Sequence, residues 1–403
     1  MSEPITTEKV KVKRGKKNKV ELVIVGDETT DIKETNEIKS ETTNKVYTAV
    51  SLFSGMGGDT LGITQAGCKV IAYNELKPNF CKTHEANFPD SELICDGKIN
   101  DISKLKDECF TKFHGKTDIL FAGFPCQGFS NAGKKMADDP RNTLFLEFLR
   151  ATKLLEPSLI IGENVKGLVS RKTSSGELYI DVIVSEFEKL GYTVVFQVFK
   201  TEQFNVPQSR ERLIIVGVKK DNPYGWTAKL PTSTSSMPNL TKIVKYSMEG
   251  AVKVDPDWFT EIPEECIMKD LSDTKVYLDN NGGHPYLLSK LKADEASRFY
   301  DGKQHDNLFS FAKRNSPIHC EIVDIRQPSK TIICTYDHQP RLFVPVQNAS
   351  GCYLRMFTPD ELKQIQGFPS DYKLCGTIKE QIVQIGNAVP PPLIKAVVEK
   401  IVR

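Results

Sequence analysis

The chain has 403 residues, 54 basic and 52 acidic side chains, and a formal charge of +2. That length allows two or three structural units with cores of their own, and the hydrophobic 39% and charged 26% exclude collagen-like, coiled-coil and wholly disordered chains. So even a balance also excludes a surface that is basic all over, so any nucleic-acid contact must come from a local patch.

The first 45 residues stand apart. Residues 1–20 carry a net +5 and residues 21–45 a net −4, with little that could build a core, so 1–45 reads as a disordered charged tail. Its basic block, Lys9 to Lys19, fits first a solvated tail without a specific role, because its charge excess is small, and only second a phosphate contact or an import signal. No apolar run is long enough to span a bilayer and no apolar signal segment is visible, so no membrane partner is expected and an intracellular protein is. Ten cysteines without a C-x-x-C pair fit reduced thiols and argue against a zinc site.

From Val46 strands and helices alternate. Tyr47 to Phe53 is strand-like and stops at Ser54-Gly55-Met56-Gly57-Gly58, with a helical pattern to about Ala66. Lys69 to Tyr73 is a second strand ending at Asn74-Glu75, and a helix follows to about Asn87. Ser91 to Cys95 and Asp118 to Ala122 are further strands, the latter running into Gly123-Phe124-Pro125-Cys126. Leu144 to Leu155 is helical by period, and Leu159 to Ile161 is a strand before Glu163-Asn164-Val165. The alternation predicts an α/β fold with a parallel sheet covered on both faces. Ligands of such sheets sit at the carboxyl ends of strands, where every polar cluster just named falls. Residues 46–224 form the N-terminal part of this unit. Residues 225–350, irregular and holding Trp226 and Trp258, read as a smaller inserted domain, and 351–403 regain helical periodicity and return to the first unit.

Three features carry chemistry. The glycine loop Phe53 to Gly58 follows a strand and opens a helix, which lets a cofactor approach the backbone. Glu75, at the end of the next strand, can bind the ribose hydroxyls of a nucleoside cofactor; these two features alone fit NAD, FAD or S-adenosylmethionine. Cys126 sits in a rigid turn after a strand, flanked by glycines that leave room for a flat substrate, while the nine other cysteines read as packing thiols. Glu163 should project from the same sheet edge, and alternation puts Arg210 and Arg212 of Gln208-Ser209-Arg210-Glu211-Arg212 on one face. A thiol, a carboxyl and two guanidinium groups around one cleft suit nucleophilic attack on an electron-poor ring.

In order and spacing these blocks, with Gln366-Gly367-Phe368-Pro369 and Gln384-Ile385-Gly386-Asn387-Ala388-Val389-Pro390, resemble the DNA (cytosine-5) methyltransferases over about residues 46–403. The resemblance implies a Rossmann-like methyltransferase sheet with S-adenosyl-L-methionine as cofactor and duplex DNA as substrate. It implies that Cys126 adds to C6 of a flipped-out cytosine, that Glu163 binds N3 and the amino edge, and that Arg212, with Arg210 near it, holds O2 or an adjacent phosphate. It matches Phe53, Gly55, Gly57 and Gly58 to the methionine end of the cofactor, Glu75 to the ribose, and Leu76 to the adenine contact, where the family often has an aromatic residue. The adenine-binding aspartate matches either Asp96 or Asp101, the latter followed by Ile102. Pro125, Leu144, Asn387 and Val389 match residues lining the pocket.

The inserted region resembles a target-recognition domain, with Arg326, Lys330 and Arg341 among the candidates for base-edge readout. A monomer is expected, with a restriction endonuclease of the same sequence specificity as a partner in function. Two other readings are a tRNA methyltransferase of the same fold, whose Cys-Phe-Thr signature is absent here, and an inactive DNA-binding homologue, which an intact Cys126, Glu163 and Arg212 argue against.

Overall fold

The apolar runs of the first half become the centre of a sheet. The computed structural model of the chain describes residues 45–125, 144–173, 175–234, 237–254, 256, 267–269, 299–300, 303–304, 321–337 and 342–403. In chain order its first half runs β1 (Thr48–Leu52), α1 (Gly58–Gln65), β2 (Lys69–Asn74), α2 (Pro78–Asn87), β3 (Glu92–Leu93), α3 (Glu108–Thr111), β4 (Ile119–Ala122), α4 (Leu144–Leu155), β5 (Leu159–Val165), α5 (Tyr179–Lys189), β6 (Tyr192–Lys200), β7 (Gln208–Ser209) and β8 (Glu211–Lys219). Seven of these strands form one sheet in the order β3-β2-β1-β4-β5-β8-β6. β1, β4 and β5 are buried along nearly their whole length, as strands covered on both faces must be.

The sheet is not parallel throughout, as the alternation predicts. β1 to β5 are parallel, but β8 runs antiparallel to both β5 and β6. The link from β6 to β8 is too short for a helical crossover, so the chain turns back and fills the slot between β5 and β6. Because β8 pairs with β5 as far as Val165, β5 continues past Ile161 and Glu163 lies inside it. The third strand shrinks to two residues at the sheet edge.

Strand alternation feeds two cores. Val50, Leu52, Leu120, Ile160 and Leu213 meet Phe148 of α4 and Phe187 of α5 on one face. Ala49, Ile119, Phe121, Ile161 and Ile214 meet Ile63 of α1 on the other, together with Leu393 and Val397 near the chain end. Tyr224 and Trp226 pack edge-on to Tyr47 in this second core, so the chain stays on the sheet past residue 224. Trp258 lies outside the described residues.

The remaining elements are β9 (Val252–Val254), β10 (Met268–Lys269), the hairpin β11 (Phe299–Tyr300) and β12 (Lys303–Gln304), β13 (Glu321–Ile322), β14 (Ser329–Lys330), β15 (Leu342–Asn348), β16 (Gly351–Arg355), and helices α6 (Pro359–Ile365), α7 (Ile378–Asn387) and α8 (Pro391–Val402). A second sheet, β10-β15-β16-β9, builds a third core. α6 and α7 pack there, each started by a threonine–glutamate capping box, Thr358 with Glu361 and Thr377 with Glu380. α8 returns to the first sheet, against α1: a Cβ on Gly62 would lie 2.5 Å from the Pro391 carbonyl oxygen. Residues Val46–Arg403 hold together as one unit. Among the described residues no helix is long and apolar enough to cross a membrane.

Candidate active site

Strand register collects the predicted residues along one edge. Asn74, Leu52, Ala122 and Gly162 are successive partners across β2, β1, β4 and β5. One residue further on each strand stand Glu75, Phe53, Gly123 and Glu163. At about 4.8 Å per strand, Phe53 and Glu163 are about 10 Å apart along this edge. Chain connections diverge on either side of the β1–β4 boundary, which opens the crevice in which such sheets hold ligands.

The glycine loop turns sharply at this edge, with positive φ at Phe53 (57°), Gly55 (59°) and Gly57 (91°). Glu75 ties it to β2: its carboxylate accepts the Gly55 N–H at 2.9 Å and the Lys77 N–H at 2.8 Å. Burial pushes the Glu75 carboxyl up, and those two N–H groups pull it back. Leu76 beside it is 58% exposed, an apolar surface next to a buried carboxylate. A Cβ on Gly58 would lie 2.1 Å from the Val389 carbonyl oxygen, and one on Gly123 would lie 3.7 Å from both that valine's Cγ2 and the Phe53 carbonyl oxygen. Val389 thus leaves no room for a side chain at Gly58, while Gly123 faces the same valine and Phe53 at ordinary contact distance. A carboxylate at the strand end, an apolar neighbour and a bare glycine turn together fit an adenosyl cofactor.

Beneath the loop lies a polar cluster that the motifs do not announce. Ser51 donates to Asp59, and Ser54 donates to it at 3.2 Å. Thr60 Oγ1 lies 3.0 Å from His84 Nε2, and the His84 ring stacks on Tyr73 with centroids 3.6 Å apart. Burial pushes Asp59 up to about 7 and holds His84 down at about 3. Tyr372, after the Gln366–Pro369 block, donates its hydroxyl to the Met56 carbonyl. These side chains were legible only as hydroxyls and rings at helical or strand spacing.

The other expected cofactor residues divide. Asp101 caps the short turn Ile102–Lys104, accepting from Ser103 N–H at 3.2 Å and Ser103 Oγ at 2.7 Å. Hydrogen bonding from Ser103 holds its carboxyl below the ordinary range. Asp96 pairs with Lys106 at 3.3 Å. Asn74 Nδ2 donates to both the Ile94 and Asn100 carbonyls, so the stretches leading to both aspartates are fastened to the end of β2. Ile102 is buried in the core, Leu144 is half-buried at the start of α4, and Pro125 is half-buried after β4. Asn387 ends α7, exposed, with its amide on the Val383 carbonyl at 2.9 Å.

Glu163 and Arg212 are brought together from β5 and β8. Arg212 Nε lies 2.8 Å from Glu163 Oε1, with Glu163 buried and Arg212 half-buried. Burial pushes the Glu163 carboxyl up, and the charges of Arg212 and Arg210 pull it down. Burial lowers Arg212, and Glu163 opposes that. Arg210 does not share the pair. It occupies the break between β7 and β8, and its guanidinium donates to the Ile332 and Gly386 carbonyls at 3.0 and 3.1 Å. Glu211 pairs outward with Lys166 at 2.9 Å. Cys126 lies outside the described residues. Asn164, next to Glu163, donates to the Phe124 carbonyl at 2.9 Å and fixes the backbone two residues before the cysteine. Of the base-reading candidates, Arg326 forks onto Asp324 with two bonds of 3.0 Å, Lys330 lies on β14, and Arg341 is outside the described residues.

A methyltransferase-type α/β sheet with this edge finds close counterparts. The family model for the C-5 cytosine-specific DNA methylase matches residues 47–403. The chain is 32% identical over 370 residues to the type II methyltransferase M.PspPI of Psychrobacter, covering 89% of this chain and 80% of that protein. It is 32% identical over 363 residues to M1.HphI of Haemophilus parahaemolyticus, covering 88% and 87%. Among solved structures the Entamoeba histolytica methyltransferase EhMeth shares the fold, with a TM-score of 0.57 at 17% identity over 88% of this chain and 97% of that one. The chain belongs to the C-5 cytosine-specific DNA methylase family.

Proposed function

We propose that the protein transfers a methyl group from S-adenosylmethionine to C5 of cytosine in a specific duplex DNA sequence. The observation that carries this reading is the single register row with Glu75 at one end and Glu163, paired to Arg212, at the other. The cofactor supplies an electrophilic methyl group on a sulfonium. Glu75 binds the ribose hydroxyls, Leu76 covers the adenine, and Gly55, Gly57 and Gly58 let the methionine end lie against bare backbone. Asp96, or Asp101 followed by Ile102, completes the adenine site, and Pro125, Leu144, Asn387 and Val389 line the rest of the cofactor pocket.

On the substrate side, the Cys126 thiolate adds to C6, and a bond forms between sulfur and C6 as ring electrons move toward C5 and N3. Glu163 supports that shift by holding a proton at N3. Its burial favours the protonated form, and Arg212 keeps it able to release the proton again. Arg212, held beside Glu163, brings a positive charge to the ring and stabilises the anion that forms there; a single aligned donor of this kind is worth about 2.7–4 kcal/mol. After C5 is methylated, a base removes the C5 proton and Cys126 leaves. A stacked cytosine hides both faces, so the base must swing out of the duplex at a cost of a few kcal/mol.

Type II methyltransferases among the relatives support a role in modification beside a restriction endonuclease of the same specificity. The test is transfer of labelled methyl to duplex DNA and to tRNA. Label in DNA and its loss in Cys126→Ala are expected; label in tRNA alone overturns the reading. Bisulfite mapping of the product gives the recognised sequence.

A further inference from the structure

Between the cofactor side and the second sheet lies a buried polar junction that none of the steps above uses. The backbone of Ile332 is gripped on both sides: its N–H donates to Gln208 Oε1 at 2.9 Å, and its carbonyl accepts from Arg210 Nη1 at 3.0 Å. Arg210 Nη2 reaches the Gly386 carbonyl at 3.1 Å. The Gln208 amide donates to Gln366, which in turn donates to the Ala388 carbonyl at 2.5 Å. Gln208 and Gln366 have no exposed surface, and Arg210 is 4% exposed.

The junction therefore joins two separate stretches of backbone. One is 329–334, whose strand β14 pairs with β7 through Ser329 and Gln208. The other is 386–389, the last residues of α7 and the turn that follows. They touch directly as well, since a Cβ on Gly386 would lie 2.4 Å from the Cys334 nitrogen. The turn ends at Val389, whose carbonyl oxygen fills the space over Gly58.

A buried donor left without an acceptor costs more than a formed bond gains. Arg210 takes one acceptor from each stretch, and its Nε already has no partner among the described residues. If either stretch shifts alone, a second guanidinium nitrogen is stranded. The two stretches are thus held to move together or not at all, and a buried contact of this kind can carry binding energy from one site to another.

We propose that Gln208, Arg210 and Gln366 are positioning residues that couple the 329–334 stretch to the cofactor-side turn, so that bound DNA and bound cofactor tighten each other. This rests on the reading above that the inserted region engages the DNA. By linkage the two ligands must affect each other by the same factor.

The experiment is calorimetric binding of S-adenosylhomocysteine to the full chain, with and without sheared unmethylated genomic DNA that contains every short recognition sequence. In the wild type, DNA tightens binding by about fivefold or more. Arg210→Lys keeps the charge but cannot reach both carbonyls, and Gln366→Met keeps the volume but breaks the relay. In both, the factor falls toward one while S-adenosylhomocysteine alone binds within about threefold of wild type, since only the coupling is lost. A wild-type factor of one, or an unchanged factor in the folded variants, overturns the proposal. Hydrogen exchange on the wild type needs no variant: S-adenosylhomocysteine alone should slow exchange at Ile332 and its neighbours, and unchanged exchange there overturns the proposal. Labelled methyl transfer run in parallel separates the two ideas, because a wild type that labels no duplex DNA refutes the function rather than the junction.

Discussion

Asp59 sits where a charge is least comfortable, and its titration should be visible in stability. Its carboxyl is held up at about 7 by burial, so between about pH 4 and 7 the folded chain keeps a proton that the unfolded chain releases. Stability from this residue is therefore full in acid and lost as pH rises through 7. Between pH 5 and 8 the loss is about 2.5 kcal/mol. Asp59→Asn should flatten that limb of a melting-temperature profile; an equal fall with pH in the variant would dismiss the assignment. His84 works in the opposite direction. Its ring is held neutral down to about 3, so its contribution is lost as pH falls below about 6.5. Glu163→Gln should lower the rate of methyl transfer by about 100- to 1,000-fold while S-adenosylhomocysteine affinity stays close to wild type. Glu163 and Arg212 were legible because their blocks end or begin strands that the apolar pattern reveals. Arg210 was not legible in the same way. Alternation places it beside Arg212, but a break between β7 and β8 turns it onto two carbonyls, and no side-chain pattern encodes which carbonyls lie within reach.

At the scale of the elements, the glycine turn is held from several sides. Glu75 holds it to β2, Val389 covers Gly58, and Tyr372 carries the Met56 carbonyl. Gly58→Ala pushes a methyl group into the Val389 carbonyl, and overpacking of this kind costs about 1–3 kcal/mol. The expected outcome is an S-adenosylmethionine Kd raised about tenfold, with the remaining turnover at saturation less affected. Tyr372→Phe strands a buried carbonyl, at about 1–3 kcal/mol, and should raise the KM for S-adenosylmethionine more than it lowers kcat; a fall confined to kcat would place Tyr372 elsewhere in the mechanism. The bounds of α4 matched its apolar spacing, and α2 ended at Asn87 where its pattern stops. β3 fell short of its apolar run because an edge strand is paired on one side only. β5 outran its run because β8 continued to pair with it.

For the whole molecule, the α/β class was legible from alternation alone, since helices must cover both faces of an apolar sheet. Strand direction was not, because periodicity carries no sign. Partition of the cores was not either: α6 and α7 have ordinary amphipathic patterns that say nothing of which sheet they meet. The unit Val46–Arg403 contains every strand of the main sheet and the whole family match. A chain starting at Val46 should therefore keep its melting temperature and its methyl transfer to DNA within about twofold of the full chain, as measured side by side; a large loss of either would give the first 45 residues a part in the fold or the reaction.

The bond from Tyr372 to the Met56 carbonyl joins residues 316 positions apart, and α1 packs against a helix further on still. During synthesis the glycine turn therefore emerges long before the residues that brace it. A nascent chain of half length has the first sheet strands but not a finished pocket, and closing so distant a contact is slow. Methylating capacity should appear in one late step of translation rather than grow with chain length, so a cell cannot obtain a partly active enzyme from an unfinished one.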